Sequence, residues 1–258
     1  MLIDSHCHLN LIDFTQLEGS IDGVMISAKE SGVGHMLCVS VDLESFPDIC
    51  ALAQKYNEIS ISVGIHPNAH ENTVLTVEQL IKLAMLPKVV AIGETGLDYF
   101  RSEGNLEWQR ERLRIHIIAA KKCKKPLIIH TRQAKQDTLR ILKEEGADEI
   151  GGVLHCFTED WAMAKEGLDL GFYISFSGII TFNSAHSLRK VVTKIPADRL
   201  LIETDSPYLA PVPYRGKSNQ PAYVRYVAQC VAELRQAPVT VIEDLTAENF
   251  FSLFSLAT

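Results

Sequence analysis

Eight short apolar runs, rich in β-branched residues, recur along this 258-residue chain, and the segments between them carry helix signatures. The runs are MLID before Ser5, HMLCVS ending at Ser40, ISISVGI ending at Ile65 and VVAIG ending at Gly93. They continue with PLIIH ending at His130, GGVLH ending at His155, GFYISF ending at Phe176 and RLLIE ending at Glu203. Of the helical segments, one opens on Ser20 as N-cap, sets Ile21, Val24, Met25 and Ala28 on one face and stops at Gly32. Another, from about Asn105 to Cys123, lines up Leu106, Leu113, Ile117 and Ala120. Strand, helix, strand, eight times over, predicts an α/β fold of the (β/α)₈ TIM-barrel type, for which about 250 residues is the usual length. The whole chain, 1–258, then makes one domain. A doubly wound open sheet would show fewer strands and a Gly-rich phosphate loop after the first, and neither holds here.

Active sites of such barrels lie at the carboxyl ends of the strands. His6 and His8 follow the first run, His66 the third, Glu94 the fourth, His130 the fifth and His155 the sixth, with Glu203 and Asp205 closing the eighth. Five of the nine histidines thus fall where strand ends converge. In extended chain, residues i and i+2 share a face, so His6 and His8 can reach one ion. Imidazole with carboxylate suits Zn²⁺, with Mg²⁺ or Mn²⁺ favoured as oxygens dominate. Burying several imidazoles and carboxylates together costs several kcal/mol unless they are paired or bind metal, and that favours a metal cluster over scattered structural side chains.

Individual roles follow from position. Glu94 has two oxygens and histidines on either side, so it can bridge two ions; the bland alternative is a carboxylate answering a helix dipole. Asp205 can bind metal and accept a proton from the attacking water. Glu203 reads as a hydrogen-bond partner orienting a histidine, with direct ligation as its alternative. His66, before Pro67, either contacts substrate or orients a neighbour. Arg132, Arg215 and Lys217 are placed to hold a phosphate, although Arg132 also fits a surface salt bridge. The KKCKK run at 121–125 precedes a strand, and reads as a solvated helix end on the opposite face of the barrel.

The six cysteines are scattered singly, as reduced thiols in a cytoplasmic protein would be, and Cys7 and Cys156 beside candidate ligands are read as non-ligating. No run approaches a membrane span, and no secretory signal opens the chain. The formal net charge of −7 excludes a broad phosphate-binding face, so any nucleic acid is held locally. Nothing marks an obligate protein partner, and a monomer is expected.

The stretches DSHCHL (4–9), GIHP (64–67), GETGLDY (93–99), PLIIHTR (126–132), GGVLHCFTE (151–159), GFYISFSG (171–178), LIETDSPYLAPVPYRGK (201–217) and NQPAYV (219–224) closely resemble the TatD family of metal-dependent hydrolases and deoxyribonucleases, particularly its YcfH-like branch. That resemblance implies an amidohydrolase-like barrel with two divalent ions. It implies His6 and His8 on one ion with Asp205 nearby, His130 and His155 on the other, and Glu94 between them. The expected activity is hydrolysis of ester bonds, with DNA phosphodiesters as substrate and a metal-activated water as nucleophile. The alternative is a hydrolase of a small ester or amide, an aminoacyl ester included; a metal-binding scaffold without catalysis is the third reading.

Overall fold

In the computed structural model, which describes residues 1–15, 19–70, 73 and 75–255, the eight runs form eight parallel strands paired in chain order. They are β1 (Leu2–Cys7), β2 (Val33–Cys38), β3 (Ile59–Val63), β4 (Val89–Asp98), β5 (Leu127–Arg132), β6 (Gly152–Leu154), β7 (Phe172–Phe176) and β8 (Leu200–Ile202). The sheet closes beyond β8, where Cys7 bridges Ser206. The Asp205 N–H donates to His6 O at 2.9 Å and the His8 N–H to Ser206 O at 2.7 Å. The buried Asp4 carboxylate reinforces this seam by accepting from the Thr204 N–H (2.8 Å) and hydroxyl (2.5 Å). The chain folds as the predicted (β/α)₈ barrel.

Helices cover the outside: α1 (Ile21–Glu30), α2 (Phe46–Lys55), α3 (Val77–Ala84), α4 (Glu107–Cys123), α5 (Lys135–Glu144), α6 (Trp161–Asp169), α7 (His186–Val192), α8 (Val224–Arg235) and α9 (Val239–Leu253). Ser20 caps α1 as expected, its hydroxyl accepting from the Gly23 N–H. One strand face, including Met36, Ile61, Leu127 and Ile129, packs on helix residues such as Val24, Leu80 and Leu113. The other face, including Ile3, Leu37, Val90, Ile128 and Leu201, fills the barrel together with Phe250 of α9 and Phe254 just after it. That helix therefore floors the barrel.

Two irregularities decide where the site goes. The β1–β2 register slips between Asp4 and Cys7, and the β4–β5 register slips between Ile92 and Thr95. Each slip puts an extra residue in the strand and re-aims the side chains there. His6 lies in the first and Glu94 in the second. Gly96, at φ 143°, lets β4 run so close to β5 that a Cβ would lie 1.9 Å from His130 O.

One expectation is corrected. Lys125 of the KKCKK run is not solvated: it is buried, and its ammonium donates to the carbonyls of Ala84 and Val89, joining the end of α3 to the start of β4. No helix among the described residues is long and apolar enough to cross a membrane.

Candidate metal centre

Glu94 stands in the middle of the strand ends. Its Oε1 lies 2.8 Å from His155 Nε2, 3.1 Å from His130 Nδ1 and 3.3 Å from His66 Nε2. Its Oε2 faces the other way, 3.3 Å from His6 Nε2 and 3.7 Å from His8 Nε2. Asp205 Oδ1 closes that second side, 3.4 Å from His8 Nε2 and 3.7 Å from His6 Nε2. The bulge at Ile92–Thr95 is what turns Glu94 inward, and the one in β1 does the same for His6. Asp205 sits at φ 57°, a left-handed conformation that Asp tolerates better than most side chains and that the backbone bonds of the seam hold in place.

Charges balance across the group. Burial works to raise the Glu94 pKa, but His155, His66 and His130 overrule it and hold the carboxyl well below its usual range. Burial also opposes ionisation of Asp205, and the hydrogen bond with His8 and the charges of His6 and His8 reverse the direction. His155 goes the opposite way: burial disfavours its charge, yet Glu94 and Glu203 push its pKa well up. His6 is lowered by burial and by the neighbouring His155, whose ring stacks on it at 3.9 Å.

Outer partners fix the rings. A carbonyl can only accept, so His8 Nδ1 donates to Val39 O at 2.9 Å and leaves Nε2 with its lone pair facing the centre. Glu203 Oε1 lies 3.3 Å from His155 Nδ1, and Glu203 Oε2 accepts from the Ser175 hydroxyl at 2.5 Å. His130 Nε2 lies 3.2 Å from Asp98 Oδ2, a carboxylate that also accepts from Asn68 Nδ2. The sequence reading singled out neither Asp98 nor Ser175. Asp98 had a visible signal, an acid ending the same strand as Glu94; Ser175, inside an apolar run, had none.

The donor set fits a divalent cation. Among the described residues His6 Nδ1 is buried without a hydrogen-bond partner, while His6 Nε2 and His8 Nε2 face each other at 3.2 Å. Donor atoms of His6, His8 and Asp205 lie within 4.8 Å of one another, as do those of His66, Glu94 and His130, and of His6, His155 and Glu203. Nitrogen and carboxylate oxygen in this proportion suit Zn²⁺ and its neighbours. Burial pushes both the Cys7 and Cys156 thiols well up, and among the described residues neither sulfur belongs to the donor groups drawn together here.

Above the centre opens a cavity of about 950 Å³, with Arg101 and Arg132 on its wall near β4 and β5, and Arg215 and Lys217 across from them. Arg132 lies 3.9 Å over the Phe100 ring and Arg215 3.6 Å over Phe182, so the two guanidinium groups are braced by aromatic faces.

The model of the family described as TatD related DNase matches residues 3–255. The chain belongs to that family. This TatD-family chain is 46% identical over 255 residues to the metal-dependent hydrolase YcfH of Escherichia coli K12, covering 99% of this chain and 96% of that one. It is 40% identical to the metal-dependent hydrolase YabD of Bacillus subtilis, covering 99% and 100%. Among solved structures, the TatD homologue YjjV of Escherichia coli K12 superposes with a TM-score of 0.91 at 31% identity, covering 98% of each chain. The protein is a metal-dependent hydrolase of the TatD family.

Proposed function

We propose that this chain is a deoxyribonuclease that hydrolyses DNA phosphodiesters with two divalent ions at the Glu94 centre. The observation that carries the reading is the two-sided carboxylate of Glu94, with three imidazoles on one oxygen and two on the other. His6, His8 and Asp205 would hold one ion, His130 and His155 the other, and Glu94 both. Zn²⁺, Mg²⁺ or Mn²⁺, when bound there, supplies Lewis acidity that lowers the pKa of water and offsets charge on a phosphate.

Asp205 is ionised and its side chain is 15% exposed to the cavity, so it can take the proton of the attacking water. Glu203, fixed by Ser175, orients His155, and Asp98 does the same for His130. Arg132 on one side and Arg215 with Lys217 on the other hold phosphates of the strand that flank the cleaved bond. With a net charge of −7, this local set replaces a broad basic surface.

Purified chain with added Mg²⁺, Mn²⁺ or Zn²⁺ should cleave labelled single-stranded or duplex DNA, and Asp205→Asn should lower the rate at least ~100-fold, the scale of a lost general base. DNA left intact throughout a metal and pH series refutes the nuclease reading. Hydrolysis of a small carboxyl ester or amide by that same preparation would move the assignment to the alternative substrate class.

A further inference from the structure

Of the five imidazoles around Glu94, one is oriented opposite to the others whose tautomer its partners settle. The Asn68 backbone N–H donates to His66 Nδ1 at 3.0 Å. A backbone amide nitrogen has no lone pair to offer, so Nδ1 must be the acceptor. A neutral imidazole carries one proton, and in His66 it is therefore on Nε2, the atom facing Glu94 Oε1 at 3.3 Å. His8 is the reverse case, with Nδ1–H on a carbonyl and a free Nε2 lone pair. His155 matches His8, with Nδ1 on Glu203.

A metal needs a lone pair, so proximity alone does not make His66 a ligand. Releasing its Nε2 proton would mean moving that proton to Nδ1 and leaving the Asn68 N–H opposed by another donor. The turn resists such a change. Asn68 Nδ2 is tied to Asp98 Oδ2 at 3.0 Å, and Arg112 donates to Ala69 O at 3.3 Å and to His70 O at 2.8 Å.

We infer that His66 does not ligate metal but presents its Nε2–H to the cavity, as a hydrogen-bond donor to an anionic oxygen of the bound substrate. A donor aimed at developing negative charge in a water-poor site strengthens catalysis most where the charge is greatest. The inference rests on the hydrolase reading of this centre and not on DNA as its substrate.

Three measurements test it without reading DNA cleavage. Long-range ¹H–¹⁵N spectra of the wild-type protein should show the Nε2–H tautomer at His66. Titration with Zn²⁺ or Mn²⁺ should give His66→Ala the wild-type stoichiometry, with no 10- to 100-fold loss of the kind that disturbed ligand sets produce. Inorganic phosphate should bind metal-loaded His66→Ala about tenfold more weakly than wild type, the scale of one hydrogen bond, with His66→Gln recovering part through its amide donor. An Nδ1–H tautomer in the wild type, loss of a metal equivalent in the variant, or phosphate affinity indifferent to His66→Ala each overturns the inference. Should the Ala variant fail to fold, the wild-type spectrum and His66→Gln still decide it. DNA that resists cleavage would leave these readouts untouched and count only against the substrate.

Discussion

His116 on α4 should make this barrel lose stability between pH 6.5 and pH 4. Its Nδ1 donates to Arg112 O at 2.7 Å, and its Nε2 accepts from the Ile65 N–H at 3.0 Å. A second proton would replace that acceptor with a donor facing a donor, inside a fully buried pocket. Burial accordingly takes the pKa from 6.5 down to about 4. At ~1.4 kcal/mol per pH unit, such a fall is worth about 3 kcal/mol. The sign follows from which state takes the proton first. Above pH 6.5 both folded and unfolded chains hold neutral imidazole and the full stability is present. Below it the unfolded chain protonates while the folded one does not, and stability drains away until about pH 4. Between pH 6.5 and 5 the loss from this one group is about 2 kcal/mol. Urea titrations followed by tryptophan fluorescence, with chelator in every buffer, should be run on wild type and on His116→Gln, which keeps an acceptor but no titratable proton. His35, lowered to about 4 by burial and by Lys88, contributes equally to both proteins and cancels in the difference. Curves of stability against pH that stay parallel between the two proteins would refute the reasoning.

Two further outcomes are expected. Glu203→Gln should weaken metal binding 10- to 100-fold by loosening the His155 tautomer, as measured by chelator competition, with Ser175→Ala giving a smaller effect in the same direction. Phe250→Ala should cost about 3–5 kcal/mol in urea denaturation, because it opens a cavity where α9 meets the barrel interior.

The eight strands were legible because each is a short apolar run, and most of the centre was legible because polar residues at the ends of such runs are conspicuous. What the alternation rule could not foresee was the pair of bulges. Strict period-two reasoning puts His6 and Glu94 on a face set by their strand neighbours, yet at both positions the slip in register decides the direction. Lys125 was misread for a related reason: a lysine-rich run says nothing about which ammonium finds carbonyls at the end of a neighbouring helix. Asp98, Ser175 and His116 act through partners 28 to 51 residues away, and no local pattern encodes such pairings.

The floor supplied by α9 has a consequence for the order of assembly. During synthesis all eight strands emerge from the ribosome before Phe250 and Phe254 do, and the seam between Asp4 and Thr204 also waits on a separation of 200 residues. Until both arrive, the chain is an open, wet sheet with two free edges, and the entropy of closing so long a loop is met only late. Vectorial folding can therefore build the helix-covered wall progressively, while drying of the interior and alignment of Asp205 with His6 and His8 come together as one terminal event. A nascent chain stalled before α9 would carry every metal donor and still lack a watertight barrel to hold them in register.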